Sequence, residues 1–424
     1  MAFARGARAR ARARAGAGAA AGAGAAAAGG YDLRPGGVPA AAPAGARGAG
    51  AGALTLYRDT NAWCPFCERV WLALEHKGVP FDQDFVDLRD KPAWYTDMVP
   101  TGMVPAARFA SDGALVWESA DLLRELETRF PEAPSLIPAD PGERARMEAF
   151  VEAEADGDDT LVASGFRYLV GGRFGEEPDP VRLPELRAAF EQALERRREH
   201  FQGPGFAAGG AEMTLADVVV APGLERLCAD LPVFRGFDLR AEIGPWLELM
   251  EALPAYQRVR SDPETHVAVV RKIFQAKGDG RAVPLPVAPP EVAPGAAAEA
   301  AERLSASLEA VKADVLKNAG VGEADAEAVE AHLRMLAAHL AECPDPAARR
   351  PFPAVPDPPP APGAGEADAA AAADAAAART RARAAGAAAL AFVRGRVSAP
   401  RDMSAAAAAA FRAACAACLA GVYP

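Results

Sequence analysis

The feature that most constrains this chain is Trp63-Cys64-Pro65-Phe66-Cys67-Glu68-Arg69, set between the apolar run Leu54-Thr55-Leu56-Tyr57 and a helical pattern that ends near Gly78. Proline suits the first helical position, where a missing N–H leaves nothing unpaired, so Cys64 falls at the N-cap. There it faces free backbone donors and the positive end of the helix dipole. A thiol so placed has its pKa drawn from about 8.5 toward roughly 3.5–7.5, which makes it a nucleophile at neutral pH. Cys67 lies within a turn of it. Two other roles compete: a pair of buried thiols, or half of a zinc site. A structural zinc needs four ligands, and the other C-x-x-C, Cys415 and Cys418, lies far away in an alanine-rich helical pattern. No metal is therefore expected. A C-x-x-C at a strand-to-helix junction with more strand pattern after it points instead to a thioredoxin-like redox site.

The flanking pattern agrees. Residues 54–58 read as a strand, 65–77 as a helix, 79–88 as a strand, 104–109 and 114–117 as two more, and 119–129 as a helix. Ser111-Asp112-Gly113 supplies a hairpin turn. In Thr101-Gly102-Met103-Val104-Pro105 a proline directly before a strand is a candidate for a cis peptide, which would turn the Val104 backbone outward to pair with an extended peptide. The 424 residues have room for two or three domains, and 51% apolar content can supply their cores. Lys and Arg total 46 against 57 Asp and Glu, with no basic stripe beyond the N-terminal segment, which argues against nucleic acid as a partner. Six cysteines, unevenly placed, do not make a disulfide scaffold and point to a reducing compartment. No strongly apolar run reaches the length of about 20 residues that a bilayer helix needs, so no membrane is expected as a partner.

These residues resemble the cysteine-type glutathione transferases, the omega, lambda and dehydroascorbate reductase classes. Cys64-Pro65-Phe66 is similar to that family's catalytic motif, Lys91-Pro92-Ala93-Trp94 to its lysine-proline-x-tryptophan element, Met103-Val104-Pro105 to its cis-proline turn, and Glu118-Ser119 to its acidic-serine pair. The resemblance implies that Lys91 holds the glycine carboxylate of glutathione, Val104 its cysteinyl backbone, and Glu118 with Ser119 its γ-glutamyl end, with Phe66 and Pro105 completing the glutathione site. The chemistry is complementary in its own right, because glutathione carries one amine and two carboxylates. Taken singly, Ser119 also reads as an ordinary N-cap and Lys91 as a surface lysine.

Residues 140–265 read as helical, with Leu183, Leu186, Phe190, Leu194 and Phe201 at helical spacing, which resembles the family's all-helical second domain. Thr214-Leu215-Ala216-Asp217 forms a capping arrangement, and Cys228 reads as a buried, inert thiol. Arg173, Phe166, Tyr168 and Phe174 either line a second-substrate cleft or, for the aromatics, pack in the core. A transferase of this kind would end near Val270. Here residues 283–295 form a proline-rich linker, followed by two amphipathic helices, one with Leu304, Leu308, Val311 and Val315, the other with Val329, Leu333, Leu336 and Leu340. A second proline-rich spacer at 351–362 leads to an alanine-rich stretch, expected to be partly mobile, and to Pro400-Arg401-Asp402-Met403-Ser404 before a final helix. The Cys-Pro-Phe-Cys site with such an extension resembles the iota class of photosynthetic organisms. His332, His339 and Cys343 share a helical face, as metal ligands or as residues bordering a helix seam. The expected layout is thus 1–53 as transit peptide and linker, 54–133 as an α/β thioredoxin-like glutathione-binding domain, 140–270 as an all-α domain, and 283–424 as a helical, partly low-complexity extension.

Residues 1–30 hold Arg5, Arg8, Arg10, Arg12 and Arg14, no acidic residue, and otherwise almost only Ala and Gly. This resembles a chloroplast or mitochondrial transit peptide without the usual serines; a low-complexity tail on a cytoplasmic protein is the alternative. The nucleophile sets the reaction class. A cysteine where other transferases carry tyrosine or serine itself forms a disulfide with glutathione, which favours glutathione-dependent thiol oxidoreduction over conjugation. Cys64 attacks a glutathionylated thiol, or an oxidised acceptor such as dehydroascorbate or a glutathionyl quinone, and a second glutathione resolves the mixed disulfide. Cys67 either resolves it internally, as in a dithiol reductase, or packs as a small apolar group. Arg69 either supports the thiolate or is a solvated helix arginine. The remaining alternatives are a conjugating transferase and a non-catalytic binding or scaffold module built on the extension. The expected partners are glutathione as co-substrate, a small-molecule or protein disulfide acceptor, and a second copy of the chain in a homodimer.

Overall fold

A computed structural model of the chain describes residues 52–88, 90–155, 157–172, 179–276, 295–342 and 366–422. The Arg/Ala-rich segment and the two proline-rich linkers lie outside them, as do Arg173, Phe174 and Cys343.

The first unit grows from strand β1 (Leu54–Asp59), whose alternate residues Leu54 and Leu56 are fully buried. Helix α1 (Pro65–Lys77) then crosses over to β2 (Phe81–Val86), which runs parallel to β1 in the register Leu54 to Phe81. Pro65 opens α1, and Gly78 ends it in the left-handed conformation at φ 63°, which favours glycine. Helix α2 (Ala93–Met98) leads to the cis Val104-Pro105 bond and the antiparallel hairpin of β3 (Ala106–Phe109) and β4 (Leu115–Trp117). Helix α3 (Ser119–Arg129) closes the unit. Strand order is β2-β1-β3-β4, with β1 antiparallel to β3. This is the thioredoxin arrangement, and the two helices 65–77 and 119–129 span the residues expected from the sequence. Strands β2 and β3 are shorter than expected: Pro80 and Pro105, which lack a donor for the ladder, stand just before each.

The helical body comprises α4 (Pro141–Ala153), α5 (Leu161–Val170), α6 (Leu183–Glu195), α7 (Arg198–Gln202), α8 (Leu215–Arg235), α9 (Arg240–Ala252), α10 (Pro254–Val259) and α11 (Pro263–Ala276). Helix α8 is its axis. Its N-terminus is fixed by the expected capping box: Asp217 accepts hydrogen bonds from the Thr214 and Ala207 amides, each at 2.8 Å, and from Trp246 Nε1 at 2.8 Å. Helices α5 and α8 approach so closely that a Cβ on Gly223 would lie 2.5 Å from Val162 Cγ1. Tyr168 is buried and stacks on Phe190 within this core, so the packing role, not the cleft role, holds for it. Cys228 packs against the same core, and burial pushes its thiol up to about 12, the inert state expected. The helix α1 packs on both α8 and α10, which joins the thiol-bearing unit to the body.

The extension forms its own helical core from α12 (Ala296–Ala306), α13 (Leu308–Asn318), α14 (Ala326–Glu342), α15 (Glu366–Arg396) and α16 (Ala405–Val422). One expectation changes here. The first amphipathic helix is broken at Ser307 into α12 and α13, although the apolar period runs through the break. Only the end of the alanine-rich stretch is packed: residues 374–384 are exposed or half-buried, whereas Ala385, Ala387, Ala389 and Leu390 are buried in α15, and Ala407, Ala408 and Ala414 in α16. Small side chains let helices approach closely, and a Cβ on Gly386 would overlap the His332 ring. His332 is therefore a seam residue whose Nδ1 meets the Ala328 carbonyl at 2.7 Å. No helix among the described residues is long and apolar enough to cross a membrane.

Candidate active site

The thiol loop begins where β1 ends. Asp59 Oδ2 accepts the Trp63 amide at 2.8 Å, Ala62 adopts φ 54°, and Cys64 occupies the N-cap of α1 in an extended conformation. Cys64 is half-buried and Cys67 is buried; neither is in a disulfide. The Cys67 thiol hydrogen-bonds the Cys64 sulfur, and this lowers the Cys64 pKa. Burial and the nearby Asp59 carboxylate oppose the shift, while the Cys67 and Phe66 amides reinforce it, and the net direction is down. Cys67 moves the other way, well above its ordinary value, because burial and the Cys64 sulfur both hold its proton on. The two cysteines thus divide into one whose proton is more readily lost and one that keeps its proton as a donor.

Three groups missed by sequence reasoning hold this loop. Arg226, fully buried on α8, donates from Nε and Nη2 to the Trp63 carbonyl at 3.1 and 2.8 Å and pairs with Glu68 at 2.8 Å. Burial, with Glu225 adding to it and Arg226 opposing, pushes the Glu68 carboxyl up to about 8. Asp59 is the second: one of its carboxylate oxygens and the two sulfurs lie within 4.8 Å of one another. The third is the ring cluster of Tyr57, Trp94 and Tyr95, with centroids 5.6–6.1 Å apart, of which the sequence offers Trp94 in its lysine-proline-x-tryptophan element. Arg69 is corrected from a solvated arginine. Its guanidinium lies 4.9 Å from the Phe66 ring, its Nε is buried without a hydrogen-bond partner, and burial pulls its pKa down to about 10 against the attraction of Cys64.

The expected glutathione residues surround the thiol to different degrees. Val104 and Pro105 are buried, and Val104 shares an apolar cluster with Cys67 against which Cys64 packs. Tyr95 OH donates to the Met103 carbonyl at 2.6 Å, tying α2, and with it the Lys91-Pro92 corner, to the cis-proline turn. Pairing of Ala106 with Trp117 puts Glu118 next to the register position of Pro105. Lys91 and Glu118 are exposed, whereas Ser119 is buried. Glu118, not Ser119, is the N-cap of α3, so Ser119 is the first helical residue with its amide at the positive helix end. Glu118 holds φ 74°, one of two non-glycine residues in the left-handed half of backbone space among the described residues. Such strain persists where the surrounding structure imposes it and is concentrated at functional sites. Phe66 is 47% exposed, Trp94 45% and Met103 55%, which leaves an apolar rim at the mouth.

A thioredoxin-like unit with a thiol at a helix N-cap, facing a cis-proline turn and backed by a helical body, defines a thiol-dependent transferase architecture. Residues 63–129 match the family described as glutathione S-transferase, N-terminal domain. Glutathione S-transferase L3 of Arabidopsis thaliana is 31% identical over 229 residues, which cover 53% of this chain and 88% of that protein. Glutathione S-transferase DHAR3, chloroplastic, of the same plant is 27% identical, covering 48% of this chain and 72% of its own. Among solved structures, glutathione transferase Omega 3C from Trametes versicolor is 26% identical with a TM-score of 0.45, covering 55% of this chain and 94% of that one. The chain belongs to the glutathione S-transferase family and is a glutathione-dependent enzyme of that family.

Proposed function

We propose that the protein is a glutathione-dependent thiol oxidoreductase of the iota type whose nucleophile is Cys64. The observation that carries this reading is the placement of a half-buried thiol at the N-cap of α1 with a second, buried thiol donating to it, packed against the apolar cluster that holds Val104 of the cis-proline turn. The Cys64 sulfur attacks the disulfide of a glutathionylated thiol, forming a Cys64–glutathione disulfide and expelling the other thiolate. A second glutathione thiolate attacks that bond, releasing oxidised glutathione and restoring Cys64. Dehydroascorbate-type acceptors are the small-molecule counterpart, in line with the printed name of the DHAR3 relative.

Glutathione is held with its glycine carboxylate on Lys91, its cysteinyl backbone on Val104 before Pro105, and its γ-glutamyl group on Glu118 and the helix end at Ser119. Phe66 covers it from the rim. This assigns 54–133 to glutathione binding, 140–270 to the helical domain and 283–424 to the extension. The Arg/Ala-rich segment within 1–53 serves as a chloroplast address.

Because Cys67 already donates to Cys64, a dithiol route that closes a Cys64–Cys67 disulfide is the second reading. Intact mass of the full chain after oxidised glutathione, with thiol-transfer turnover on the same samples, decides between them. Cys64→Ser is expected to abolish both adduct and turnover, and Cys67→Ser to retain both. Turnover lost in Cys67→Ser with the adduct retained selects the dithiol route, and turnover in Cys64→Ser overturns the assignment.

A further inference from the structure

Asp59 is only 2% exposed, and its carboxylate has two unequal oxygens. Oδ2 is engaged by the Trp63 amide, whereas Oδ1 is buried without a hydrogen-bond partner. A buried carboxylate oxygen left unpaired is costly, and native structures rarely leave one without a role. Beside this carboxylate lie two sulfurs: Asp59, Cys64 and Cys67 form the one group of this kind among the described residues whose ligand atoms, a carboxylate oxygen and both sulfurs, converge within 4.8 Å. We propose that Asp59, Cys64 and Cys67 are a binding site for a soft divalent cation of the zinc type, which on binding blocks the catalytic sulfur. This departs from the expectation of no metal, which rested on the lack of a second cysteine pair nearby and overlooked a carboxylate at the end of β1.

Zinc–sulfur bonds of about 2.3 Å and zinc–oxygen bonds of about 2.0–2.2 Å in tetrahedral geometry separate the ligand atoms by about 3.6–3.8 Å. The present spacing needs to close by roughly 1 Å at most to reach that, within the reach of a cysteine side-chain rotation at the half-buried Cys64. Two thiolates and a carboxylate favour zinc over the hard cations magnesium and calcium. Three protein ligands leave the fourth position open on the side where Cys64 is exposed, so the ion enters and leaves from solvent and is not a structural zinc. Binding replaces the thiol protons, which pass to solvent. The Cys415–Cys418 pair gains no third ligand of this kind among the described residues.

Metal binding at this site is independent of whether Cys64 turns over glutathione, so the two are measured separately. The reduced full chain, stripped by a chelator, is titrated with zinc against a chromogenic competitor, and thiol transfer is followed at each occupancy. One zinc per chain is expected, with turnover falling in proportion to occupancy and returning when chelator is added. Asp59→Asn is expected to weaken zinc binding by at least roughly tenfold, and Cys415→Ser with Cys418→Ser to leave it unchanged. Equal affinity in Asp59→Asn, or no zinc bound by the wild type, overturns the proposal. X-ray absorption of the zinc-loaded wild type keeps the test open should Asp59→Asn misfold: two sulfur ligands with oxygen completing the shell support it, and four sulfurs or none reject it.

Discussion

Glu118 illustrates how one residue can carry two demands. Its side chain is exposed, where the proposed function puts the γ-glutamyl amine, while its backbone sits at φ 74° with ψ 123° to start α3. Truncating it separates the two. Glu118→Ala and Glu118→Gly both remove the carboxylate and are expected to raise KM for glutathione by roughly tenfold, the worth of one charge-assisted hydrogen bond. Only the alanine variant keeps the side-chain penalty of a positive φ, so the glycine variant is expected to be more stable than the alanine variant by about 1 kcal/mol in denaturant unfolding. Equal stability of the two would show that the backbone there is not strained. Lys91→Ala is expected to match them in KM with no change in stability, since its side chain is exposed. Residue by residue, the site was partly legible. Cys64, Cys67, Val104 and Pro105 are marked by local rules of helix starts and X-Pro bonds. Asp59 and Arg226 were not, because one is a polar residue at an unremarkable strand end and the other reaches Trp63 across 163 positions of sequence.

At the scale of elements, the thiol is aimed by how α1 is clamped. Its residues Val70, Trp71, Leu72 and Leu74 are almost wholly buried, and the helix packs on α3, α8 and α10. The position of α8 is in turn set by its crossing with α5, where Gly223 admits Val162 and Gly165 admits Leu227. Gly223→Ala drives a methyl into a β-branched side chain that has little rotamer freedom, and is expected to cost about 1–3 kcal/mol. Thermal melting checks it, and Gly223→Ala combined with Val162→Ala is expected to recover part of the loss, which a mere helix-propensity effect would not do. Helix and strand identity were readable because the apolar period switches from two to 3.6 at Cys64. The break at Ser307 was not, since a single poor helix former interrupts α12 and α13 without disturbing the run of Leu304, Leu308, Val311 and Val315. The alanine repeats were readable only in part: low complexity usually marks segments without a core, yet from Ala385 onward small side chains allow α14, α15 and α16 to close on one another.

At the scale of the whole molecule, the extension meets the transferase body, among the described residues, in a cluster of buried polar contacts at the start of α11. Ser261 Oγ donates to the Ala399 carbonyl at 2.5 Å, and Arg412 of α16 donates to Asp262 Oδ1 at 2.6 Å and to the Val397 carbonyl at 2.7 Å. The same corner leads to the thiol loop, because the Ser261 amide donates to Glu225 at 2.8 Å and the adjacent Arg226 holds Trp63. Burial pushes the Asp262 carboxyl up, but the Arg412 charge and the hydrogen bonds from Thr265 and Arg412 outweigh it, and the net direction is down. A carboxyl whose folded pKa lies below its unfolded value of about 3.9 adds stability in full above that value and loses it as the pH falls through the folded one. Arg412→Ala leaves the Asp262 carboxylate buried without its cation, a change expected to cost about 3–5 kcal/mol near neutral pH. In acid the carboxylate is neutralised in both proteins, so the gap between wild type and Arg412→Ala is expected to shrink as the pH drops below about 4. Melting curves of both proteins from neutral pH into acid measure this directly. A gap that stays constant through that range would place the role of Arg412 in its bond to the Val397 carbonyl, a contact within the extension itself, instead of in its charge against Asp262 of the body.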